Sequence, residues 1–356
     1  MFIIVTRLYL RHLTNPSIKL CQDNLFFNNN KRQAAFWVHH YLKVIMQKKI
    51  LFTLFLALFN AGIFAQGSTN NISYKVEKGV WVNFNRFFKT TLPGKRFEVT
   101  LKSDHPASIL ISDSYAAPVS HDGNVWYFAA PKKSGDYTIS FTDTVSKHAF
   151  TLVLFVEFPI TKMKGEYLNG YRIGTYPNKT LHGDKNYKRP KGFIEVTKSN
   201  ENLFISPHFQ LKQFLCKQSS KGYPKYIITN PKLVVKLEYL LAQLNKHGRN
   251  IKTLFVMSGY RTPYYNKLLG NVKFSRHVYG DAADIYVDEN HDGVIDDLNK
   301  DGKHTIQDEY VIYKIVNNFD SDPKYKQLIG GIGTYQKNSR HTFFIHIDTR
   351  GYKARW

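Results

Sequence analysis

Ser275-Arg-His-Val-Tyr-Gly-Asp-Ala-Ala-Asp284 places an imidazole, His277, and a carboxylate, Asp284, at the two ends of a glycine-containing turn. Gly280, Ala282 and Ala283 are small, which lets the backbone fold tightly so that both side chains reach one ion. A second histidine, His346, sits in Phe343-Phe-Ile-His-Ile-Asp348, a run that reads as a late strand. Two imidazoles and one carboxylate leave the fourth position of a tetrahedral Zn²⁺ open for water, as a catalytic zinc requires. Spacing alone leaves two plainer readings open: a strand histidine packed in a core, and an aspartate capping a turn.

Outward from this stretch the chain mixes helix and strand. Asn230-Pro231 supplies a cap residue and a proline at the first helical position. Val234, Val235, Leu237, Leu240, Leu241 and Leu244 then form one apolar face, which Gly248 ends. Leu254-Phe-Val-Met predicts a buried strand running into Ser258-Gly-Tyr-Arg-Thr262, and Thr262-Pro263 opens another helix. Ala283-Asp-Ile-Tyr-Val is a strand and Gln307 to Phe319 a helix.

Ser275-x-His277-x-x-Gly280-x-Ala282-x-Asp284 resembles the full zinc signature of the M15 peptidases. These are the D-Ala-D-Ala carboxypeptidase branch of a fold shared with lysostaphin-type endopeptidases and hedgehog. Ser258-Gly-Tyr-Arg-Thr resembles the segment that precedes that signature. Gly330-Gly-Ile-Gly-Thr-Tyr, Phe344-Ile-His-Ile-Asp-Thr-Arg-Gly and Ala354-Arg-Trp356 resemble the murein-endopeptidase-type subgroup. The resemblance spans residues 203–356. It implies an α+β fold: a C-terminal zinc peptidase domain with a central antiparallel sheet and flanking helices. It implies His277, Asp284 and His346 as zinc ligands, with Arg261 as a fixed cation for the oxyanion forming on the scissile carbonyl. Ser275 is implied as a substrate contact, with a plain turn serine left open. The implied substrates are peptidoglycan peptides containing D-amino acids, cut by a carboxypeptidase or an endopeptidase through a metal-activated water. A non-catalytic, zinc-containing wall-binding protein is the alternative.

One departure bears on that choice. Many members of the family carry a carboxylate three residues before the last ligand, or a histidine two before it. Those positions are Phe343 and Phe344, and neither takes a proton. His341 and Asp348 are the local candidates for the general base. Asp348 falls on the same side of a strand as His346 and could equally orient its imidazole. His341, in a Ser-Arg-His turn, is the preferred one.

Residues 288–309 carry a second metal pattern. Asp288, Asn290, Asp292 and Gly293 match the first half of an EF-hand-like loop, and Asp296 falls at its ninth position. Asp297, Asn299, Asp301 and Gly302 repeat the pattern nine residues on, with Asp308 at position twelve of that second loop. A structural Ca²⁺ is the expectation, against a solvated acidic loop. Asn299 at position twelve of the first loop makes the geometry closer to dockerin or thrombospondin repeats than to a sensor EF-hand.

Upstream, residues 70–158 predict an all-β, sandwich-like accessory domain. Phe97–Lys102, Ser108–Ser112 and Tyr137–Thr142 alternate with period two, and Pro93-Gly94, Asp122-Gly123 and Ser134-Gly135 mark turns between strands. Residues 159–202 are Tyr/Gly/Pro-rich and read as a linker and irregular segment. Met46-Gln-Lys-Lys followed by the apolar run Ile50 to Phe64, with Ala65 before Gln66, reads as a signal peptide at 46–65. Residues 1–45 show no period and read as a gene-start artefact or a disordered segment. The expected location is exported: periplasm or cell envelope, or extracellular. Contact with a membrane is expected only through an uncleaved signal segment.

Composition excludes several classes. Among 356 residues, 26 Phe and 23 Tyr supply too much burial area for a disordered chain, and two cysteines cannot make a disulfide scaffold. Fifty Lys+Arg against 27 Asp+Glu give a net charge of +23, which suits an anionic envelope polymer. No nucleic-acid-binding module is recognisable, so nucleic acid is not an expected partner.

Overall fold

The computed structural model describes residues 71–356, apart from Lys78, Asp113, Ser114, Ala116 and His247. The expected signal peptide and the segment before it lie outside the described residues. Among the described residues no helix is long and apolar enough to cross a membrane.

Among the described residues, nine strands and no α-helix occupy 73–156. They are β1 (Ser73–Glu77), β2 (Val80–Val82), β3 (Arg86–Thr91), β4 (Arg96–Lys102) and β5 (Ile109–Ser112). β6 (Ser120–Asp122), β7 (Val125–Ala129), β8 (Gly135–Asp143) and β9 (Ala149–Val156) follow. One sheet has the order β2-β1-β4-β7-β6 and the other β3-β9-β8-β5. The alternation in β4 decides its facing: Phe97, Val99 and Leu101 are buried while Arg96, Glu98 and Lys102 are exposed. Aromatic rings join the two sheets. Tyr74 of β1 stacks on Phe150 of β9 at 4.9 Å, and Phe128 of β7 meets Phe141 of β8 edge-on at 6.3 Å.

Residues 159–202 are more structured than a linker. β10 (Phe158–Pro159), β11 (Tyr167–Leu168), β12 (Tyr171–Arg172) and β13 (Gly192–Val196) fall there, and β13 pairs with both β10 and β14 (Lys225–Ile227). Leu168, Tyr171, Ile173, Tyr176, Tyr187 and Phe193 join the common core. Burial of these large side chains holds the segment without a regular period, so periodicity gave no sign of it.

The remainder is α+β. A five-stranded sheet has the order β15 (Phe255–Ser258), β16 (Ala282–Tyr286), β18 (Phe344–Asp348), β17 (Gly331–Tyr335) and β19 (Ala354–Arg355). All neighbours are antiparallel except β17 and β19. The α-helices among the described residues are α1 (Pro231–Lys246), α2 (Pro263–Leu268) and α3 (Ile306–Phe319). The apolar face expected on α1 is buried throughout, from Leu233 to Leu244. Its Tyr239 hydroxyl donates to the Trp81 carbonyl at 3.1 Å and its ring meets Phe84 at 6.2 Å, so the nine-stranded part shares a core with the site-bearing part. The described residues fall within one compact unit.

Candidate metal centre

Two features of local backbone bring the site together. Arg276–Tyr279 forms a short 3₁₀ turn carrying His277, and Gly280 ends it at φ 71°. A Cβ at Gly280 would run into the Ile228 carbonyl, so only glycine satisfies both the left-handed backbone and the close approach. Strand register does the rest. Asp284 on β16 lies opposite both Ser258 of β15 and His346 of β18. His277, Asp284 and His346 are all buried, at 2%, 3% and 6% exposure.

The donor atoms converge. His277 Nε2 lies 3.1 Å from Asp284 Oδ1 and 3.1 Å from His346 Nδ1, and His346 Nδ1 lies 2.9 Å from Asp284 Oδ1. The far side of each ring decides what these atoms carry. His277 Nδ1 donates to the Gly259 carbonyl at 2.7 Å, and His346 Nε2 donates to Asp348 Oδ2 at 3.2 Å. A carbonyl and a carboxylate only accept, so each ring turns a lone pair inward. Three lone pairs aimed at one point fit a cation. Ligands at 2.0–2.1 Å around tetrahedral zinc stand about 3.3 Å apart, close to these separations. This is the one group of three or more His, Cys, Asp or Glu ligand atoms within metal-holding distance, 4.8 Å, among the described residues.

Charge is arranged around the same point. Burial opposes ionisation of Asp284, yet His277 and His346 hold its carboxyl well below the usual carboxylate range. Burial lowers the pKa of His277. Burial also lowers that of His346, but the Asp284 and Asp348 carboxylates outweigh it and push it up to about 9 with no cation between the donors; a cation would take the place of the proton on Nδ1 and leave that lone pair facing inward. Arg261 donates from Nε to Ser258 Oγ at 2.8 Å and pairs through Nη2 with Asp284 Oδ2. Its cation therefore stands beside the converging donors.

Of the two base candidates, Asp348 is the more heavily engaged. It accepts from His346, from the Gly331 amide at 2.8 Å, and from Arg350 through Nε and Nη2. Those partners keep it ionised despite burial. The geometry places it as the group that orients His346. His341 lies between β17 and β18 and lines the same cavity. Its Nδ1 faces the Thr342 carbonyl at 2.8 Å, which leaves Nε2 to accept from the Asn338 amide at 2.7 Å. To take a proton it must first release Asn338. Ser275, Arg261 and the three converging residues line this cavity of 760 Å³.

The acidic double loop behaves differently. Its two halves repeat their backbone: His291 and Lys300 have φ 60° and 63°, and Gly293 and Gly302 both have φ 79°. The acids cap the loop's own amides. Asp288 accepts from Asp292 and Gly293, Asp292 from Val294, Asp297 from Asp301 and Gly302, and Asp301 from Lys303. Asn290 and Asn299 accept from Asp292 and Asp301 in the same way, and Asp296 accepts from Glu289. Asp308 caps α3 with Thr305 and accepts from Leu298 and Asn299. This geometry adds no support to the Ca²⁺ expectation.

Residue-by-residue reading missed Ser258, the Gly259 carbonyl, Arg350 and the cavity wall made by Tyr335 and Trp356. The Trp356 indole donates to Tyr335 Oη at 2.8 Å and its ring lies 5.2 Å from that of His346. The signal was present in Gly331-Ile-Gly333: a Cβ at Gly333, which pairs with His346, would strike the indole. Alternate glycines on one strand face mark where another group lies close.

Residues 207–317 match the family model described as Peptidase M15. That span contains His277 and Asp284 but stops before His346. No curated protein and no solved structure matches the chain.

Proposed function

We propose that this chain, whose residues 207–317 belong to peptidase family M15, is an exported zinc metallopeptidase that hydrolyses D-amino-acid-containing peptide bonds of peptidoglycan. The observation that carries the reading is the inward convergence of lone pairs from His277 Nε2, Asp284 Oδ1 and His346 Nδ1. These three residues would hold the zinc, which supplies Lewis acidity toward water and toward a carbonyl. The chain's own groups do the remaining work. Gly259 and Asp348 fix the two ring tautomers, and Arg261 offers a cation to the oxyanion of the tetrahedral intermediate. His341, once released from Asn338, accepts and returns the proton.

The wall-binding alternative draws on a specific observation. Phe343 and Phe344 replace the usual base, Asp348 is held by Arg350, and the His341 lone pair is engaged. Digestion of purified sacculi followed by mass spectrometry separates the readings. The peptidase reading expects products from the wild type and none from His277→Ala; their masses distinguish removal of a terminal D-Ala from crosslink cleavage. Bound zinc without cleavage of any wall peptide establishes the alternative. Ca²⁺ in the double loop is a separate proposal, resting on the repeated Asp-x-Asn-x-Asp-Gly spacing. Unchanged melting temperature and turnover after selective Ca²⁺ removal overturn it.

A further inference from the structure

Fifteen large apolar side chains stand exposed among the described residues, and six of them gather at the metal-site cavity or on the turn that forms its lip. Tyr335, Tyr352 and Trp356 line the cavity. Leu268 ends α2 and Leu269 and Val272 lie in the turn that follows it, at 67%, 48% and 75% exposure, and Val272 is the most exposed of the fifteen. The turn is not a loose helix end that failed to bury them. Buried Asn266 donates from Nδ2 to the Val272 carbonyl at 3.0 Å, the Asn271 amide donates to the Asn266 carbonyl, and the Ser275 amide donates to the Val272 carbonyl. The backbone is tied inward while the aliphatic side chains are held outward. A preformed projection of this kind loses little conformational entropy on docking.

The flanking charges identify the partner. Lys267 and Lys273 bracket the aliphatic turn, both are exposed, and neither makes an ion pair within 4.0 Å among the described residues. Three aliphatic side chains on one turn are too small a patch for a stable protein interface, which needs about 800 Å² on each partner. They suffice to enter the boundary between lipid headgroups and acyl chains, with lysines at the anionic headgroups and Tyr and Trp beside them. We propose that the turn Lys267–Lys273 docks the mouth of the metal-site cavity onto an anionic lipid bilayer. Docking turns the cavity toward the leaflet and favours substrates held close to a membrane surface. The inference rests on the turn and its charges and does not depend on peptidase activity.

The test uses the full chain with Cys21→Ser and Val272→Cys, labelled with an environment-sensitive fluorophore; Cys216 is buried. The probe reports position 272 alone, whatever else in the chain touches lipid. With phosphatidylcholine vesicles containing about one-third phosphatidylglycerol, a nitroxide lipid should quench the probe and aqueous iodide should not. Adding Lys267→Glu and Lys273→Glu should weaken this response about tenfold, and raised salt should weaken it too. A probe that stays open to iodide in the presence of these vesicles overturns the proposal. So does shielding by a soluble muropeptide without any response to lipid, which would make the turn a substrate contact.

Discussion

At Asp348 a single carboxylate connects the metal centre to the rest of the sheet. It receives the His346 ring on one side and Arg350 and the Gly331 amide on the other. Asp348→Asn keeps the shape but removes the charge that fixes the His346 tautomer. Zinc retention against a chelator should fall about 10–100-fold, with the melting temperature recorded alongside to separate a folding defect. Gly280→Ala attacks the site from the backbone, since the substitution is strained at φ 71° and meets the Ile228 carbonyl. Loss of stability of more than about 1–2 kcal/mol is expected, read by denaturant titration, together with lost zinc. Wild-type stability and zinc content in that variant would show that the turn tolerates a side chain. Both residues stand in quoted motifs; Gly280 advertised its role outright, whereas Asp348 was open between base and orienting partner, and Arg350 and Gly331, which decide it, approach through the fold.

Strands β16 and β18 explain how much of the site could be read beforehand. Their register places Asp284 opposite His346 although 62 positions separate them, and no local pattern encodes that pairing. The His and Asp types and the small residues between them were legible because the turn chemistry is local. The base was not, because whether His341 or Asp348 is free to accept a proton depends on Asn338 and Arg350. At the end of β9, Glu157 offers a test of burial at the level of an element. Desolvation pushes its pKa up to about 7, against a weaker opposing hydrogen bond from Thr90. The folded chain therefore keeps a proton that the unfolded chain releases between its ordinary value and about pH 7. This contribution to stability is full below that ordinary value and is lost as pH rises through 7. Glu157→Gln should raise the melting temperature at pH 8 and change it little at pH 4. An equal change at both values would show that the carboxyl is not protonated in the fold.

For the whole molecule, the nine-stranded part and the site-bearing part share one large core, beside a small second cluster of Tyr286, Ile295, Phe343 and Phe344. Tyr239 of α1 reaches Trp81 and Phe84, Asn200 donates to Asp136 at 2.8 Å, and the stretch 159–202 fills the space between with buried rings. Calorimetry should therefore give a single unfolding transition for the described part, and Tyr239→Ala should lower it by about 3 kcal/mol without splitting it. Two separated transitions would mean that the nine-stranded part folds independently.

Local chemistry in the amino-acid order was enough to settle the classes of element, the alternating strands, the capped helices, and the residue types suited to a cation. Each depends on neighbours a few positions apart. Tertiary structure alone decided which histidine nitrogens face inward, which carboxylate is locked by an arginine, and that the exposed Leu268–Val272 turn stands at the cavity mouth. Those properties belong to contacts made across dozens of residues, where register and packing, rather than spacing, bring the atoms together.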